Sequence, residues 1–194
     1  MLASLLPLVH AQCTVDTPEY GGMGDCPAGA SALVDGGTYT LPDDYATVFR
    51  TDNSAESIFE LQYSINNSNN QAFWFYPQAL GGRWGYSPSV DLFNAFEAGD
   101  ERLAASIQVA GAGACPIAPC RYGDKYHRIA TSDDNVVVLR LAEMYLIRAE
   151  ANARLGAADQ TVRDDLDILR NRAGLADLPL TVAGQAALLA AVLQ

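Results

Sequence analysis

The sequence predicts a mainly α fold built on a tetratricopeptide-like helix pair, with long irregular loops and little strand. Three observations lead there. Residues 139–156 and 160–172 both carry apolar residues at helical spacing and are joined by the short link GAAD. Only residues 56–65 alternate as a half-buried strand does. Between these regions the chain is broken by Gly, Pro and Asn clusters that no long helix would tolerate.

The elements follow in order. The opening MLASLLPLVHAQC is apolar but lacks the positive residues that begin a secretory signal, and reads better as the tail of a buried helix. Residues 13–37 are loop-like, punctuated by GGMGDCPAG and DGG. YTLPDDYATVF then leads to the alternating ESIFELQYSI, and residues 66–72 form a polar loop. Residues 73–88, FWFYPQALGGRWGYSP, hold two Trp, two Phe and two Tyr in a stretch interrupted by Pro77, Gly81, Gly82 and Gly85. Helical pattern resumes with Ser87 as N-cap and Pro88 at the first helical position, carrying Val90, Leu92, Phe93 and Phe96 until Gly99. A third late helix starts near Thr181 and runs through Leu188, Leu189 and Val192.

The segment LRLAEMYLIRAEANARLG is the most informative. Wound as a helix, it places Arg140, Glu143, Glu150 and Arg154 on one stripe, with Glu150 and Arg154 in the favourable order four apart. Ala142, Ala149 and Ala153 form a second stripe, where small side chains admit a close neighbour. Leu141, Tyr145 and Leu155 form a third, and Arg148 falls inside it. Arg148 has two readings, a buried pairing with an acidic residue of a neighbouring helix that this chain need not contain, which is favoured, or a stem laid along the apolar face with its head in water. In the helix that follows, Val162, Leu166 and Leu169 share a face, and Gly174 is the expected C-cap. The short link makes the two helices neighbours.

Composition removes several functions. The net charge of −11, from 23 acidic against 12 basic residues, argues against a phosphate backbone as partner, so no nucleic acid is expected. Of the two basic runs, Arg121–Arg128 and Arg163–Arg172, the second alternates with Asp164, Asp165 and Asp167 and reads as a solvated helix face. No apolar run is long enough to span a bilayer as a helix. Cys13 with Cys26 and Cys115 with Cys120 are close pairs in loop-like sequence, spaced to close short disulfides in an exported protein and not to bind zinc. No metal site and no cofactor are expected. The adjacent carboxylates Asp43 with Asp44 and Asp133 with Asp134 suit turns better than acid and base catalysis.

VLRLAEMYLIRAEANARLG followed by DDLDILRNRAGL resembles the SusD/RagB outer-membrane nutrient-binding proteins. Arg140, Ala142 and Glu143, then Ala149, Glu150 and Ala151, then Arg170, Arg172, Ala173 and Gly174 match that family's C-terminal pattern. YTLPDDYATVF, ESIFELQYS and LFNAFEAGDERLAASI agree with it in the same order. The resemblance covers roughly residues 33–194, a partial SusD-like domain, while residues 1–32 match poorly. The family's chains are longer at both ends, so this sequence is expected to be an internal fragment. The resemblance implies a non-enzymatic lipoprotein on the outer-membrane surface. Such a protein captures oligosaccharides or other nutrients and passes them to a TonB-dependent SusC-like transporter.

Ligand contacts are sought among the aromatics, because a pyranose offers an apolar C–H face that stacks on Trp or Tyr. Trp74, Tyr76, Trp84 and Tyr86, with Asn70 for the hydroxyls, are the candidate ligand-binding residues. The competing reading, favoured for any single ring, is that it fills the core. Asp100 and Arg102 are expected to pin the end of the preceding helix. The alternative function is a tetratricopeptide-like protein-interaction module without a small ligand. A hydrolase has no nucleophile elbow, metal spacing or separated carboxylate pair to recommend it.

Overall fold

The computed structural model describes residues 25–194. The signal-like opening and the pairing expected of Cys13 with Cys26 lie outside the described residues. The fold is mainly helical with few short strands, and it divides into two compact units.

One unit comprises residues up to 40, 141–171 and 176–194. Its helices are α1 (Asp25–Val34), α6 (Leu141–Arg154), α7 (Asp159–Arg172, but for its last residue) and α8 (Gln185–Val192). The alanine stripe predicted for α6 is where its neighbours pack: Ala149 and Ala153 are buried in one apolar cluster with Val162 and Leu166 of α7 and Leu188 of α8. Glu150 and Arg154 pair as expected, at 2.7 Å. Gly156 and Gly174, at φ of +73° and +76°, follow the ends of α6 and α7.

Four expectations need correction here. The segment 25–34 is a helix and not a loop; its small residues let α1 pack on α6. The helix predicted from Leu139 begins at Leu141, because the β-branched run before it is drawn into a strand and carries Arg140 off the helix stripe. α8 begins at Gln185 rather than near Thr181. Arg163 binds the carbonyl oxygens of Leu178, Pro179, Leu180 and Val182, and Gly184 at φ +81° is no helical residue. For the same reason the charged face of α7 is not solvated. Arg163 is 3% exposed and Asp165 4%, Asp167 accepts from the Leu178 N–H at 2.6 Å, and Arg170 donates to the Ala176 carbonyl. The run of opposite charges fastens α7 to the segment after it.

Arg148 is paired within this chain. Its guanidinium donates to both oxygens of Asp165, the Nη2 bond measuring 2.6 Å, and reaches Ser31 of α1 and Asp35 just past its end. The carboxylates push its pKa further above the ordinary arginine value, the hydrogen bonds to Asp165 contributing most.

The other unit comprises residues 41–140 and 172–175. It holds α2 (Thr47–Arg50), β1 (Ser57–Leu61), α3 (Gln71–Phe75), α4 (Val90–Asn94), α5 (Glu101–Ser106), β2 (Ile107–Ala110), β3 (Cys120–Gly123) and β4 (Val136–Arg140). β1 pairs antiparallel with β4, Ser57 opposite Arg140 and Leu61 opposite Val136, and β2 pairs antiparallel with β3. Only β1 was legible as a strand; β2 and β3 are four residues each, too short to show a period. Cys115 and Cys120 are disulfide-bonded in the β2–β3 connection. The N-cap of α4 is Ser89, not Ser87. The Ser89 hydroxyl accepts from the Leu92 N–H at 3.0 Å, while Ser87 donates to the Arg121 carbonyl. Asp100 caps the helix after it rather than the one before, accepting from the Arg102 N–H and holding the Arg102 guanidinium at 2.6 Å. Ser89→Ala should therefore cost about 1 kcal/mol of local stability and Ser87→Ala much less, read by hydrogen exchange at Leu92.

The centre of this unit is polar. Glu56, fully buried, accepts from Arg140 at 2.8 Å and from Arg172, and both guanidiniums lie over the buried ring of Tyr45. Burial pulls the Arg172 pKa down, against the opposing charge of Glu56. Burial would raise the Tyr45 pKa, but the charges of Lys125 and Arg140 bring it below the ordinary tyrosine value.

Candidate functional site

The aromatic segment is organised by a backbone fold-back within the second unit. α3 ends at Phe75, and Pro77 with the short 3-10 turn Gln78–Leu80 reverses the chain. Residues 83–86 then return along α3. The Arg83 N–H donates to the Phe73 carbonyl at 2.7 Å, Trp84 to Tyr76 at 2.7 Å, and Gly85 and Tyr86 to Trp74 at 2.8 and 3.2 Å. Two glycines permit this approach. A Cβ at Gly82 would lie 2.1 Å from the Tyr76 carbonyl oxygen, and one at Gly85 would lie 2.7 Å from Cε3 of the Trp74 ring.

The fold-back sorts the five candidates into two groups. Trp74, 37% exposed, and Tyr86, 63% exposed, come together with ring centroids 6.2 Å apart and planes inclined at 58°. Phe75 lies 6.0 Å from Tyr86, ring centroid to centroid, and Phe73 meets Trp74 edge-on at 5.7 Å. Asn70 lies exposed at the start of α3. The remaining two rings are half-buried and tied to protein partners. The Trp84 indole N–H donates to the Arg121 carbonyl at 2.9 Å. The Tyr76 hydroxyl donates to the Asp124 carboxylate, which also holds Arg50 at 2.6 Å. Burial, then the bond to Asp124, push the Tyr76 pKa well above the ordinary tyrosine value, so this phenol stays protonated as a donor.

What can this arrangement do chemically? Trp74 and Tyr86 offer inclined apolar ring surfaces in water, which suits a small rigid molecule with apolar faces. Among the described residues, no group of three or more His, Cys, Asp or Glu side chains could hold a metal ion. Asp134 accepts from the Arg128 N–H at 2.7 Å, Asp133 from the Thr131 hydroxyl, and Asp44 from the Ala46 N–H at 2.8 Å, so each adjacent carboxylate pair makes local hydrogen bonds.

One residue of the platform escaped sequence reading. The guanidinium of Arg83 stands over the Trp74 ring, 5.3 Å from its centroid. A signal for it existed. Arg83 is the only charged residue between Glu60 and Asp91.

The comparisons agree on a frame. The sequence model of the SusD family matches residues 117–194. No curated protein matches the sequence. Among solved structures, a SusD superfamily protein from Parabacteroides distasonis is similar at 24% identity with a TM-score of 0.69, over 96% of this chain and 46% of its own. Surface glycan-binding protein A from Bacteroides uniformis is similar at 21% identity and a TM-score of 0.67, over 80% of this chain and 39% of its own. Surface glycan-binding protein A from Bacteroides thetaiotaomicron, solved in complex with laminarihexaose, is similar at 16% identity and 0.67, over 88% of this chain and 48% of its own. The chain thus spans less than half the length of each of these structures. The fold is thus similar to that of these SusD-like structures, and residues 117–194 match the sequence model of the SusD family.

Proposed function

We propose that the protein captures oligosaccharides at the outer-membrane surface, without catalysis, and delivers them to a TonB-dependent SusC-like transporter. The observation that carries this reading is the exposed Trp74 and Tyr86 pair, built on a tight backbone fold-back within a SusD-like frame. The fold relative that holds laminarihexaose supports saccharide as the ligand class. Asn70, Gln71 and Gln78 lie on the same segment and supply donors and acceptors for ring hydroxyls. Of the original five candidates, Trp74 and Tyr86 are the stacking rings, Asn70 is a hydroxyl partner, and Tyr76 and Trp84 hold the segment in shape.

A glycan array followed by calorimetry tests this. Burial of a stacked indole is worth about 1.5–3 kcal/mol, so Trp74→Ala should weaken saccharide binding roughly 10- to 100-fold. Trp84→Ala should act through stability instead. Full affinity in Trp74→Ala and Tyr86→Ala would remove the platform as the site. Co-purification with a SusC-like transporter from the native outer membrane tests the delivery step.

A further inference from the structure

From charge placement at that same site, and resting on the saccharide reading above, we infer that the platform takes an anionic saccharide, with Arg83 and Arg121 receiving a ring carboxylate or sulfate ester. The chain carries 23 acidic residues, yet its two longest stretches without Asp or Glu are residues 61–90 and 102–123. The structure brings these two stretches together. The Trp84 indole and the Ser87 hydroxyl both donate to the Arg121 carbonyl, and Gly123 lies so close to Phe75 that a Cβ there would stand 3.2 Å from the ring.

The aromatic pair therefore stands where the two acid-free stretches meet in a protein of net charge −11. Arg83 and Arg121 are the cations there. Most arginines of this protein hold a carboxylate, as Arg50, Arg102, Arg128, Arg140, Arg148, Arg154 and Arg172 do. Among the described residues, neither Arg83 nor Arg121 has one. Arg83 lies over Trp74, and Arg121 lies over Phe93 at 4.7 Å with its Nε buried and without a hydrogen-bond partner.

A guanidinium resting on a ring at an exposed site gains less than the charge-assisted pair it forms with a carboxylate or sulfate in a partly desolvated one. The anionic group of a uronate or sulfated sugar projects from the edge of the pyranose. With the sugar's C–H face on an aromatic ring, that group lies beside the stack, within the swing of an arginine at its border. A neutral sugar leaves both guanidiniums where they are. An acidic ligand draws Arg83 off the ring and supplies the partner that the local sequence withholds.

Titration calorimetry on the folded protein separates these cases. The probes are a panel of uronate oligosaccharides with their carboxyl-reduced neutral counterparts, and sulfated oligosaccharides with their desulfated forms. At least one anionic member should bind roughly tenfold or more tighter than its neutralised twin, with affinity falling as salt rises. Arg83→Gln should remove that preference, bringing the anionic member and its neutral twin to similar affinity, whereas Trp74→Ala should weaken both. The carboxylate and sulfate arms identify which group is read. Neutral glucans bound through Trp74, with no anionic preference and no effect of Arg83→Gln, would overturn the inference and leave the proposed function standing. Binding of no saccharide by the folded protein would overturn both.

Discussion

Glu56→Gln should destabilise the protein by about 3–5 kcal/mol, the usual cost of breaking a buried ion pair from one side. The carboxylate is fully buried between Arg140 and Arg172, and its loss leaves two guanidiniums at the Tyr45 ring without the charge that offsets them. For a chain of this length that corresponds to a fall in melting temperature of roughly 10 °C. Urea and thermal unfolding of Glu56→Gln measure it. Replacing all three charges together, as Glu56→Met, Arg140→Leu and Arg172→Met, should restore much of the loss, because a well-packed apolar set needs no desolvated ions. A Glu56→Gln protein within 1 kcal/mol of wild type would show the triad to be dispensable.

Asp165→Asn should cost the helical unit about 2–4 kcal/mol, discounted because the Arg148 side chain keeps 16% of its exposure. Asparagine preserves the shape, but it cannot accept the two-pronged contact that Arg148 makes through Nε and Nη2. Arg148 also carries Ser31 and Asp35, so the damage should spread to α1. Amides of α1 should exchange faster in Asp165→Asn, by a larger factor than those of α8. A double-mutant cycle with Arg148→Met isolates the pair. Uniform exchange across the unit would instead mean that α1 is held by apolar packing alone.

What the sequence revealed follows the length of each signal. α6 and α7 were legible because fourteen residues apiece repeat the helical period several times. The interruption of residues 73–88 was equally plain, since Pro77 and the glycines rule out a long helix. β2, β3 and β4 were not legible, being too short or reading continuously into a helix, and α1 was hidden by Gly and Pro signals that packing on α6 overrides. The charged face of α7 misled for a physical reason. Alternating charge looks the same whether its partners are water or the carbonyls of a segment fifteen residues further on. At the candidate site, sequence composition marked the aromatic segment but could not tell its exposed rings from its tethered ones. Exposure of Trp74 and Tyr86, against the tethering of Tyr76 and Trp84, depends on hydrogen bonds to Asp124 and Arg121, which lie far along the chain.

The grip of Arg140 and Arg172 on Glu56 also bears on how relatives should be recognised. Both arginines belong to the motif on which the resemblance to SusD/RagB proteins rests, and Ala173, in the same motif, is fully buried and accepts from the Glu101 N–H. None of these residues lies on the aromatic platform. A search keyed to that motif therefore collects proteins sharing a chassis while remaining blind to the aromatic segment. To tell such proteins apart, the informative comparison is the short return of chain against α3, where one arginine and two glycines decide what a ring meets.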